Sequence, residues 1–517
     1  MIKTIIILII LSFNSVSAQV SQEWVAKYKD STTGTVYPAS VSTDNLGFIY
    51  VSGRCNAFNR SRYITFKYST AGILQWYRIY QSPYIFTFGD ADLVLKNSID
   101  KDNNIYVTGF SYNDANTDIV TIKYNSSGDS LWVKRHNGIN DGFDYPRDMV
   151  IDKYSNVYIT AIMRGSNSDD YLTMKYDSSG NLMWTALYPD GDVPNAMALD
   201  SLGNIYVTGE SSSFYTTYMT LKYNNSGDLK WARTHGSPRD AEGTSIATDI
   251  SGNIYVTGFI TLSNGVYKYS TLKYNTEGIL IWNNIFERNA SGSPNQILVD
   301  SSGGSFVIGP SGILKYDSLG SILWSDTSSF FNTIYSILDK SGNLYITNSY
   351  SINTRSFIQT IKYSNFGNII WEKNYGGEEN YSNTPYGISL DYHYNVFVSG
   401  IKIGFTSDTL ITLKYSYVTN IKNSNERTVK DYFLFQNYPN PFNPITKIRY
   451  QIGNNSYVRL KIFDIEGKDI KTLVKKYQNT GSYIVQFDGN DLSSGIYFYS
   501  LYINNELIET KKLMLLK

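Results

Sequence analysis

A ten-residue pattern that returns along the chain is the feature that most constrains the fold. It reads DISGNIYVTG from Asp249 to Gly258, DSLGNIYVTG from Asp200, DKDNNIYVTG from Asp100 and DNLGFIYVSG from Asp44. Asp followed by Gly or Asn is typical of a tight turn, because Asp caps the turn and Gly tolerates positive φ. The alternating residues that follow are typical of a β-strand with two different faces. The recurrence of this segment predicts a repeat fold.

Two further signatures accompany this pattern in a fixed order. A Lys-Tyr pair, usually within T-x-K-Y, follows each opening Asp, and a Trp then stands nine residues beyond the Lys. The opening residues are Asp44, Asp100, Asp152, Asp200, Asp249, Asp300, Asp339 and Asp391. The lysines are Lys67, Lys123, Lys175, Lys222, Lys273, Lys315, Lys362 and Lys414. The tryptophans after the first seven of them are Trp76, Trp132, Trp184, Trp231, Trp282, Trp324 and Trp371. A period of about 50 residues with several short strands is typical of the four-stranded blade of a β-propeller.

The two ends of the array complement each other. Trp24 has no Lys-Tyr strand before it, and the strand with Lys414 and Tyr415 has no Trp after it. The N-terminal strand QEWVAKYK is therefore predicted to be the fourth strand of the last blade, so that both free edges are paired. Counted in this way, the all-β array is predicted to close as an eight-bladed β-propeller. The repeated Trp is predicted to pack between neighbouring sheets, and a ring of sugar-stacking platforms is the alternative interpretation.

The connections between strands divide the predicted propeller into two faces. Those between first and second strands, and between third and fourth, are short uniform turns, so this face is expected to be structural. The other connections vary in length, and the longest gap, after Trp76, contains YQSPYIFTFGD. Variable loops on a rigid scaffold commonly hold binding sites, so Tyr84, Phe86 and Phe88 are the predicted ligand-binding residues. The alternative is that these rings cover a neighbouring blade or a second domain.

Residue types that carry catalysis or bind metals are sparse. His136, His235 and His393 occupy different repeats, which gives little support to a zinc site or a Ser-His-Asp triad. The acids of DKDNN and DGD could gather oxygen ligands, but the twelfth position of each stretch is Ser instead of the Glu of a calcium loop. We therefore expect no catalytic residue, metal or cofactor, with calcium as an open alternative. A carboxylate pair that faces across a channel could not be recognised from the sequence.

The N-terminal segment MIKTIIILIILSFNSVSA has a charged start at Lys3, a short apolar core and a small-residue site that ends at Ala18. This pattern predicts a secretory signal peptide over residues 1–18, and a buried strand is the alternative interpretation. No apolar run is long enough to span a bilayer, so no transmembrane segment is expected in the mature chain. The 45 basic and 45 acidic side chains balance, which gives no indication of nucleic-acid binding. Cys55 is the single cysteine, and it is predicted to be a small buried hydrophobe.

A second, smaller domain follows the repeats. Residues 416–430 are polar and predicted to be a linker, and Pro439, Pro441 and Pro444 then favour an extended entry. The alternating segments YVRLKIFDI, GSYIVQF, GIYFYSLYI and ETKKLMLLK predict a small Ig-like β-sandwich over residues 431–517. From residue 416 onward, 14 Lys and Arg stand against nine Asp and Glu, a net charge of +5. A basic module on a mildly acidic propeller indicates a separate role for the module, and an ordinary solvated surface is the alternative.

Both regions are similar to known families. Segments such as DSLGNIYVTG followed by TLKYNNSGDLKW resemble the SBBP-type β-propeller repeat, and the resemblance extends over roughly residues 24–415. That family is named for seven-bladed propellers, so the eight copies in this chain are a departure from it. The resemblance implies a fold and leaves the activity open.

The C-terminal module resembles the type A sorting domain of the type IX secretion system. The matching segments are NYPNPFNP, VRLKIFDIEG, LSSGIYFY and KKLMLLK. The sorting signal implied by this resemblance includes Asn437, Pro439, Asn440, Pro441, Gly495, Lys511, Lys512 and Lys517. The resemblance also implies a Gram-negative exporter, passage through the periplasm, recognition by the outer-membrane translocon, and release from or attachment to the cell surface. An exposed terminal strand is expected to be the docking edge.

These observations predict a propeller over residues 19–415 between a signal peptide and a sorting domain. We expect an exported, non-enzymatic binding, adhesion or scaffold protein, delivered to the cell surface or the medium. Its expected partners are the type IX translocon and a glycan or protein ligand on the long-loop face. The alternative is a secreted hydrolase or lyase that acts on polysaccharide.

Overall fold

The computed structural model describes residues 19–517 except for 30–33, 58–59, 84–91, 114, 139–141, 165–168, 190–191, 213–214, 237–238, 287–291, 328–333, 353–354, 380, 405–407, 419–432, 435–436, 438, 453–454 and 480. The predicted signal peptide and most of the predicted linker lie outside these residues. Within the described part of the chain, every helix or strand assigned is a β-strand. The chain divides into two compact units, Met1–Thr419 and Asn420–Lys517.

The described residues of the first unit form eight four-stranded antiparallel sheets, one for each sequence repeat. We number them sheets 1 to 8 in chain order, with strands given from first to fourth. Sheet 1 contains β2 (Val36–Thr43), β3 (Ile49–Ala57), β4 (Arg60–Tyr68) and β5 (Leu74–Tyr80), and sheet 2 contains β6 (Leu93–Ile99), β7 (Ile105–Tyr112), β8 (Thr117–Tyr124) and β9 (Ser130–His136). Sheet 3 contains β10 (Asp144–Ile151), β11 (Val157–Arg164), β12 (Asp169–Tyr176) and β13 (Leu182–Tyr188), and sheet 4 contains β14 (Val193–Leu199), β15 (Ile205–Ser212), β16 (Thr216–Tyr223) and β17 (Leu229–His235).

Sheets 5 to 8 follow the same order, except that sheet 8 takes its fourth strand from the start of the chain. Sheet 5 contains β18 (Ala241–Thr248), β19 (Ile254–Thr261), β20 (Tyr267–Tyr274) and β21 (Leu280–Ile285), and sheet 6 contains β22 (Gln296–Val299), β23 (Ser305–Gly309), β24 (Gly312–Tyr316) and β25 (Ile322–Asp326). Sheet 7 contains β26 (Ile334–Leu338), β27 (Leu344–Ile352), β28 (Arg355–Tyr363) and β29 (Ile369–Gly376), and sheet 8 contains β30 (Tyr381–Leu390), β31 (Val396–Gly404), β32 (Thr409–Val418) and β1 (Gln19–Tyr28).

The sheets form a closed ring. The first strand of each sheet contacts the first strand of the next, and β30 of sheet 8 contacts β2 of sheet 1. The N-terminal strand β1 pairs antiparallel with β32, where Trp24 lies opposite Lys414. This pairing confirms that the N-terminal strand supplies the fourth strand of the last sheet, and it joins the two ends of the array without a covalent link.

Both faces of the second strands are buried, because each sheet packs between two neighbours. In sheet 5, Ile254 and Val256 belong to one apolar cluster with Tyr206 of sheet 4. Tyr255 points to the other side and packs in a cluster with Ile297 of sheet 6. Full burial of side chains of this size stabilises a fold by roughly 1.5–3 kcal/mol each, so neighbouring sheets stabilise one another around the ring.

The second unit is a β-sandwich. One sheet has the order β33 (Phe433–Leu434), β34 (Ile445–Ile452) and β37 (Gly481–Asp488), and the other has β36 (Asp469–Gln478), β35 (Ser456–Phe463), β38 (Gly495–Ile503) and β39 (Glu506–Leu515). Ile448 and Tyr450 of the first sheet and Leu460 and Leu501 of the second share a single buried core. A closer kinship with the immunoglobulin fold stays a prediction.

Candidate functional site

The repeated sequence pattern forms a polar network inside sheets 2, 3, 4, 5 and 7. In sheet 5, one carboxylate oxygen of Asp249 accepts the amide N–H of Ser251 and of Asn253, each at 2.9 Å. The other oxygen accepts Asn253 Nδ2 at 2.7 Å and the Tyr255 hydroxyl at 3.1 Å. The Asp, Asn and Tyr of the pattern are therefore all used to hold the turn against the strand that follows it.

The repeated Lys and Trp join each sheet to the next. At the junction of sheets 2 and 3, Lys123 Nζ and Trp132 Nε1 donate to the same backbone carbonyl, that of Ser178, at 3.0 and 3.2 Å. The acceptor lies in the turn between the third and fourth strands of the next sheet. The same pair of bonds goes to the carbonyls of Thr70, Ser126, Asn225, Thr276 and Ser318 at five other junctions.

The glycine of that acceptor turn makes room for the indole. Gly180 has φ of 83°, which favours glycine, and a Cβ at this position would stand 2.9 Å from the ring of Trp132. Equivalent contacts recur around the ring of sheets. The repeated Trp therefore packs between neighbouring sheets as predicted, and its N–H is also used there.

The junction of sheets 7 and 8 lacks this arrangement. The third and fourth strands of sheet 8 come from opposite ends of the repeat array, so no turn joins them to supply the carbonyl. Lys362 Nζ donates instead to the hydroxyl of Tyr417 at 2.7 Å. The buried Nε1 of Trp371 has no hydrogen-bond partner among the described residues.

Sheet 6 departs from the network through its side chains. Gly304 and Phe306 stand where the pattern has Asn and Tyr, so the carboxylate of Asp300 loses two donors. Lys315 turns inward and forms an ion pair with Asp300 in which both side chains are at most 3% exposed. A Cβ on Gly304 would meet Lys315 Nζ at 2.8 Å, so the absent Asn side chain is what admits the ammonium group.

This departure leaves an acceptor without a donor in sheet 7. At the junction of sheets 3 and 4, Asn225 Oδ1 accepts both Lys175 Nζ and the hydroxyl of Tyr158. Asn365 is its counterpart at the junction of sheets 6 and 7, and its carbonyl accepts Trp324 Nε1 at 2.9 Å. The buried Asn365 Oδ1 has no partner in the described structure, because Phe306 has no hydroxyl and Lys315 has turned to Asp300.

A cavity of about 460 Å³ opens at this junction. We call it the sheet 6 cavity. Its lining includes Asp300, Lys315, Asp317, Trp324, Asn365 and Phe366. Burial alone would raise the pKa of Asp300, but hydrogen bonds from Lys315 and Ser302 outweigh it and the pKa is lowered. The cavity lies on the turn face, which was expected to be uniform and structural.

A chain of polar contacts crosses the first strands of sheets 3, 4 and 5 near their long-loop ends. Arg147 Nη2 donates to Asn195 Oδ1 at 2.9 Å, and Asn195 Nδ2 donates to Glu242 Oε1 at 2.7 Å. Burial, aided by the carboxylates of Glu242 and Asp192, raises the pKa of Glu210 to about 6. The predicted ligand-binding residues Tyr84, Phe86 and Phe88 lie outside the described residues.

The described structure gathers no metal-binding group. Among the described residues, no set of three or more His, Cys, Asp and Glu side chains could hold a metal ion. In DKDNN, the Asp100 carboxylate accepts the side chain and amide of Asn104 and the hydroxyl of Tyr106, so it caps its own turn. Cys55 is fully buried, and burial raises the pKa of its thiol to about 11.

The implied sorting residues at the entry to the sandwich are held against its last two strands, Asn437 by β38 and Asn440 by β39. Asn437 is buried, with its N–H bonded to the Tyr499 hydroxyl at 2.8 Å and its Nδ2 to the carbonyl of Pro439 at 3.1 Å. Asn440 Oδ1 accepts the amide of Met514 at 2.8 Å, and its Nδ2 donates to the carbonyl of Lys512 at 3.3 Å. Pro441 follows Asn440 through a cis peptide bond.

The expected docking edge of the terminal strand is partly covered. The amide of Phe442 donates to the carbonyl of Met514, and its carbonyl accepts the amide of Leu516, both at 2.9 Å. Together with Asn440, this contact occupies the outer edge of the strand from residue 512 to 516. The last residues of β39 therefore do not present free backbone groups to a partner strand, contrary to the expectation from sequence.

The remaining implied sorting residues lie around the same strand. Gly495 begins β38 opposite Leu515. Lys511 forms an ion pair with Glu509 at 2.7 Å, and the side chain of Lys512 is exposed. The amide of Lys517 donates to Ser494 Oγ at 3.0 Å. Asn437 is held in place by the hydroxyl groups of Thr446, which lies outside the matching segments, and of Tyr499, which ends LSSGIYFY but is not among the implied signal residues.

Comparison with family models matches both regions. Residues 436–516 match the secretion system C-terminal sorting domain. Residues 188–215 and 230–259 match the beta-propeller repeat. These matches confirm the two resemblances to the SBBP repeat and the type IX sorting domain. Together they support a secreted propeller protein whose tail interacts with the type IX secretion system on the way to the cell surface or medium.

The solved structures that resemble this chain have low sequence identity to it. The Dos1 propeller is 11% identical, with 75% of this chain and 95% of that chain covered and a TM-score of 0.49. Sqt1 from Chaetomium thermophilum is 9% identical, with coverage of 76% and 99% and a TM-score of 0.46. Likeness at this level carries no argument about function. No curated protein matches the sequence. Among the described residues, no helix is long and apolar enough to cross a membrane.

Proposed function

We propose that the chain is an exported, non-enzymatic binding or adhesion protein. The propeller binds the ligand, and the C-terminal tail directs the export of the chain. The observation that carries the binding role is the sheet 6 cavity. At six of the eight junctions the recurring Lys and Trp donate to one backbone carbonyl, whereas at this junction Lys315 pairs with Asp300 and Asn365 Oδ1 has no partner in the described structure. A scaffold role alone would not require sheet 6 to lose two side chains of the network.

The proposed route begins with the signal peptide at residues 1–18, which takes the chain to the periplasm. The sorting domain then engages the outer-membrane translocon through the surface around residues 437–442 and β39. Export is tested by removal of residues 511–517, which takes away the second half of β39 and every residue of it to which Asn440 and Phe442 bond. We expect the truncated chain to accumulate in the periplasm, with its propeller folded by near-ultraviolet circular dichroism.

Normal appearance of the truncated chain in the medium would overturn the proposed role of the tail. A matched control replaces Lys476 by Ala on β36, at the opposite edge of the same sheet, and export of this variant should be unchanged. The binding role is tested separately on the purified chain with a glycan array and with whole-cell adhesion, neither of which depends on export.

A second candidate, a polysaccharide-active enzyme, is favoured by the acids of the long-loop face. Glycoside hydrolysis uses one protonated and one ionised carboxyl group, and the raised pKa of Glu210, about 6, provides a group that is partly protonated near neutral pH. Product release from a bound glycan, abolished by Glu210→Gln or Glu242→Gln, would support the enzyme. Binding without any product would favour the non-enzymatic role.

A further inference from the structure

We propose that the sheet 6 cavity binds one neutral sugar residue, a pyranose ring at the end or within the chain of a glycan. This proposal names a ligand class for the binding role above and rests on it. Four properties of the junction between sheets 6 and 7 lead to this ligand: its size, its unpaired acceptor, its charge balance and its apolar rim.

The size of the cavity suits a single small ligand. Pockets that bind small molecules commonly measure about 300–1,000 Å³, and the sheet 6 cavity measures about 460 Å³. It arises where sheet 6 has lost an Asn side chain and a phenol hydroxyl relative to its neighbours. The missing groups also explain why a ligand would have to supply polar atoms at this place.

The unpaired acceptor at this junction, Asn365 Oδ1, can accept a hydrogen bond from a ligand. At the junction of sheets 3 and 4, an ammonium group and a phenol hydroxyl both donate to Asn225 Oδ1. Neither donor reaches Asn365 Oδ1. An unpaired buried acceptor costs roughly 1–3 kcal/mol. Asn365 lines the cavity but its Oδ1 is closed to solvent, so a ligand hydroxyl that donates to Oδ1 would recover a comparable free energy once the side chain turns toward the cavity.

The two buried charges at the base of the cavity balance each other. The ion pair of Asp300 and Lys315 has side-chain exposures of 3% and 2%. Asp317 adds one negative charge to the lining, and one of its carboxylate oxygens accepts the amides of Leu319 and Ser321 in its own turn. A hydroxyl group satisfies Asn365 without placing a further charge beside the existing pair.

The rim supplies an apolar surface for the carbon face of a sugar ring. Phe366 stands at the tip of the turn in sheet 7 and is 83% exposed, and Leu323 beside it is 59% exposed. Ser127, Ser179 and Ser226 occupy the place of Phe366 in three other sheets. A ring with hydroxyl donors on its edge and C–H groups on its face matches this arrangement of one acceptor and one exposed aromatic side chain.

The test measures binding of methyl glycosides of glucose, galactose and mannose to the purified full chain by saturation-transfer NMR and calorimetry. Gly304→Asn with Phe306→Tyr restores the common network, displaces Lys315 Nζ and fills the cavity, so we expect binding to disappear. Phe366→Ser removes one aromatic contact, and we expect about a tenfold weaker affinity. The matched control, Asn253→Gly with Tyr255→Phe in sheet 5, should bind as the unmodified chain does.

Thermal unfolding of each variant shows whether it is folded, and both cavity variants are expected to unfold at or above the temperature of the unmodified chain. Binding of n-butylammonium in place of every glycoside would overturn the ligand class. Glycoside binding that survives restoration of the network would overturn the cavity as the site but leave the binding role intact. No binding by any glycoside, together with cell adhesion that persists, would overturn the sugar proposal alone.

Discussion

Two neighbouring junctions of the propeller depart from the common network in opposite ways. Between sheets 6 and 7, the acceptor Asn365 Oδ1 lacks a donor, and between sheets 7 and 8 the donor Trp371 Nε1 lacks an acceptor. The first departure comes from side chains, because sheet 6 still makes its turn but has Gly304 and Phe306 where the pattern has Asn and Tyr. The second comes from topology, because sheet 8 is assembled from both ends of the repeat array.

The two departures differ in whether an amino-acid substitution could restore the common hydrogen-bond network. A variant can restore Asn and Tyr to sheet 6, but no substitution can create a turn between β32 and β1. A departure that selection could have removed, and that opens a cavity, is therefore a better candidate for a site than one imposed by ring closure. The unpaired group at each junction costs roughly 1–3 kcal/mol, so both departures are large enough to measure.

Deletion of residues 19–28 is expected to have the largest effect. It removes β1, leaves the edge of β32 unpaired and opens the ring between sheets 8 and 1. We expect loss of cooperative unfolding by circular dichroism and aggregation, partly reversed by a synthetic peptide of residues 19–28. A chain without residues 511–517 serves as the control and should keep its propeller transition. Cooperative unfolding at the original temperature without β1 would show that ring closure is not needed.

The buried ion pair of sheet 6 gives the next largest effect. Lys315→Met leaves Asp300 buried without its cation, and loss of one partner of such a pair costs roughly 3–5 kcal/mol. Lys273→Met in sheet 5 is the matched control: Asn253 and Tyr255 still satisfy Asp249 there, so we expect a cost of about 1–2 kcal/mol for the lost bond to Ser318. Equal free energies of unfolding in urea for the two variants would contradict the distinction between the junctions.

The same variant should change the pH dependence of stability. In the unmodified chain the pKa of Asp300 is lowered, so its contribution is present above the ordinary pKa of about 3.9 and is lost as pH falls through the lower folded value. In Lys315→Met, burial without the cation raises this pKa. The folded state then gains stability as pH falls and Asp300 takes up a proton. We expect the deficit of the variant to shrink by about 1.4 kcal/mol per unit of pKa shift, measured by urea unfolding from pH 7 to pH 4. Asp300→Asn with Lys315→Met should not show this recovery.

The sequence was sufficient to predict the architecture because a similar sequence pattern recurs in every sheet of the propeller. The Asp, Asn, Tyr, Lys and Trp of each repeat stand in fixed order, so the number of strands per sheet and the closure through Trp24 followed from spacing. The cavity could not be predicted in this way. Gly304 and Phe306 were visible as exceptions, but their effect depends on where Lys315 points and on Asn365, which belongs to the next repeat.

The sorting region shows a related limit. The Asn and Pro residues of its entry segment marked an extended entry, and Asn440 of this segment contacts the terminal strand β39 across more than 70 residues of sequence. A long-range hydrogen bond from a side chain to a terminal strand leaves no periodic signal. The covered edge of β39 was therefore missed, although the residues that cover it belong to the motif.

Replacement of tryptophan by phenylalanine at two junctions should give the smallest effect. Trp132 and Trp371 have similar ring neighbours: Tyr106 and Tyr176 lie 5.7 and 6.4 Å from the first, and Tyr345 and Tyr415 both lie 6.1 Å from the second. Trp132→Phe also loses the hydrogen bond to Ser178, whereas Trp371→Phe removes an N–H that has no partner in the described structure. We expect Trp132→Phe to cost about 1 kcal/mol more in the free energy of unfolding. Equal costs would mean that the indole N–H contributes no more at an ordinary junction than at the closing one, and that packing alone explains why each repeat carries Trp.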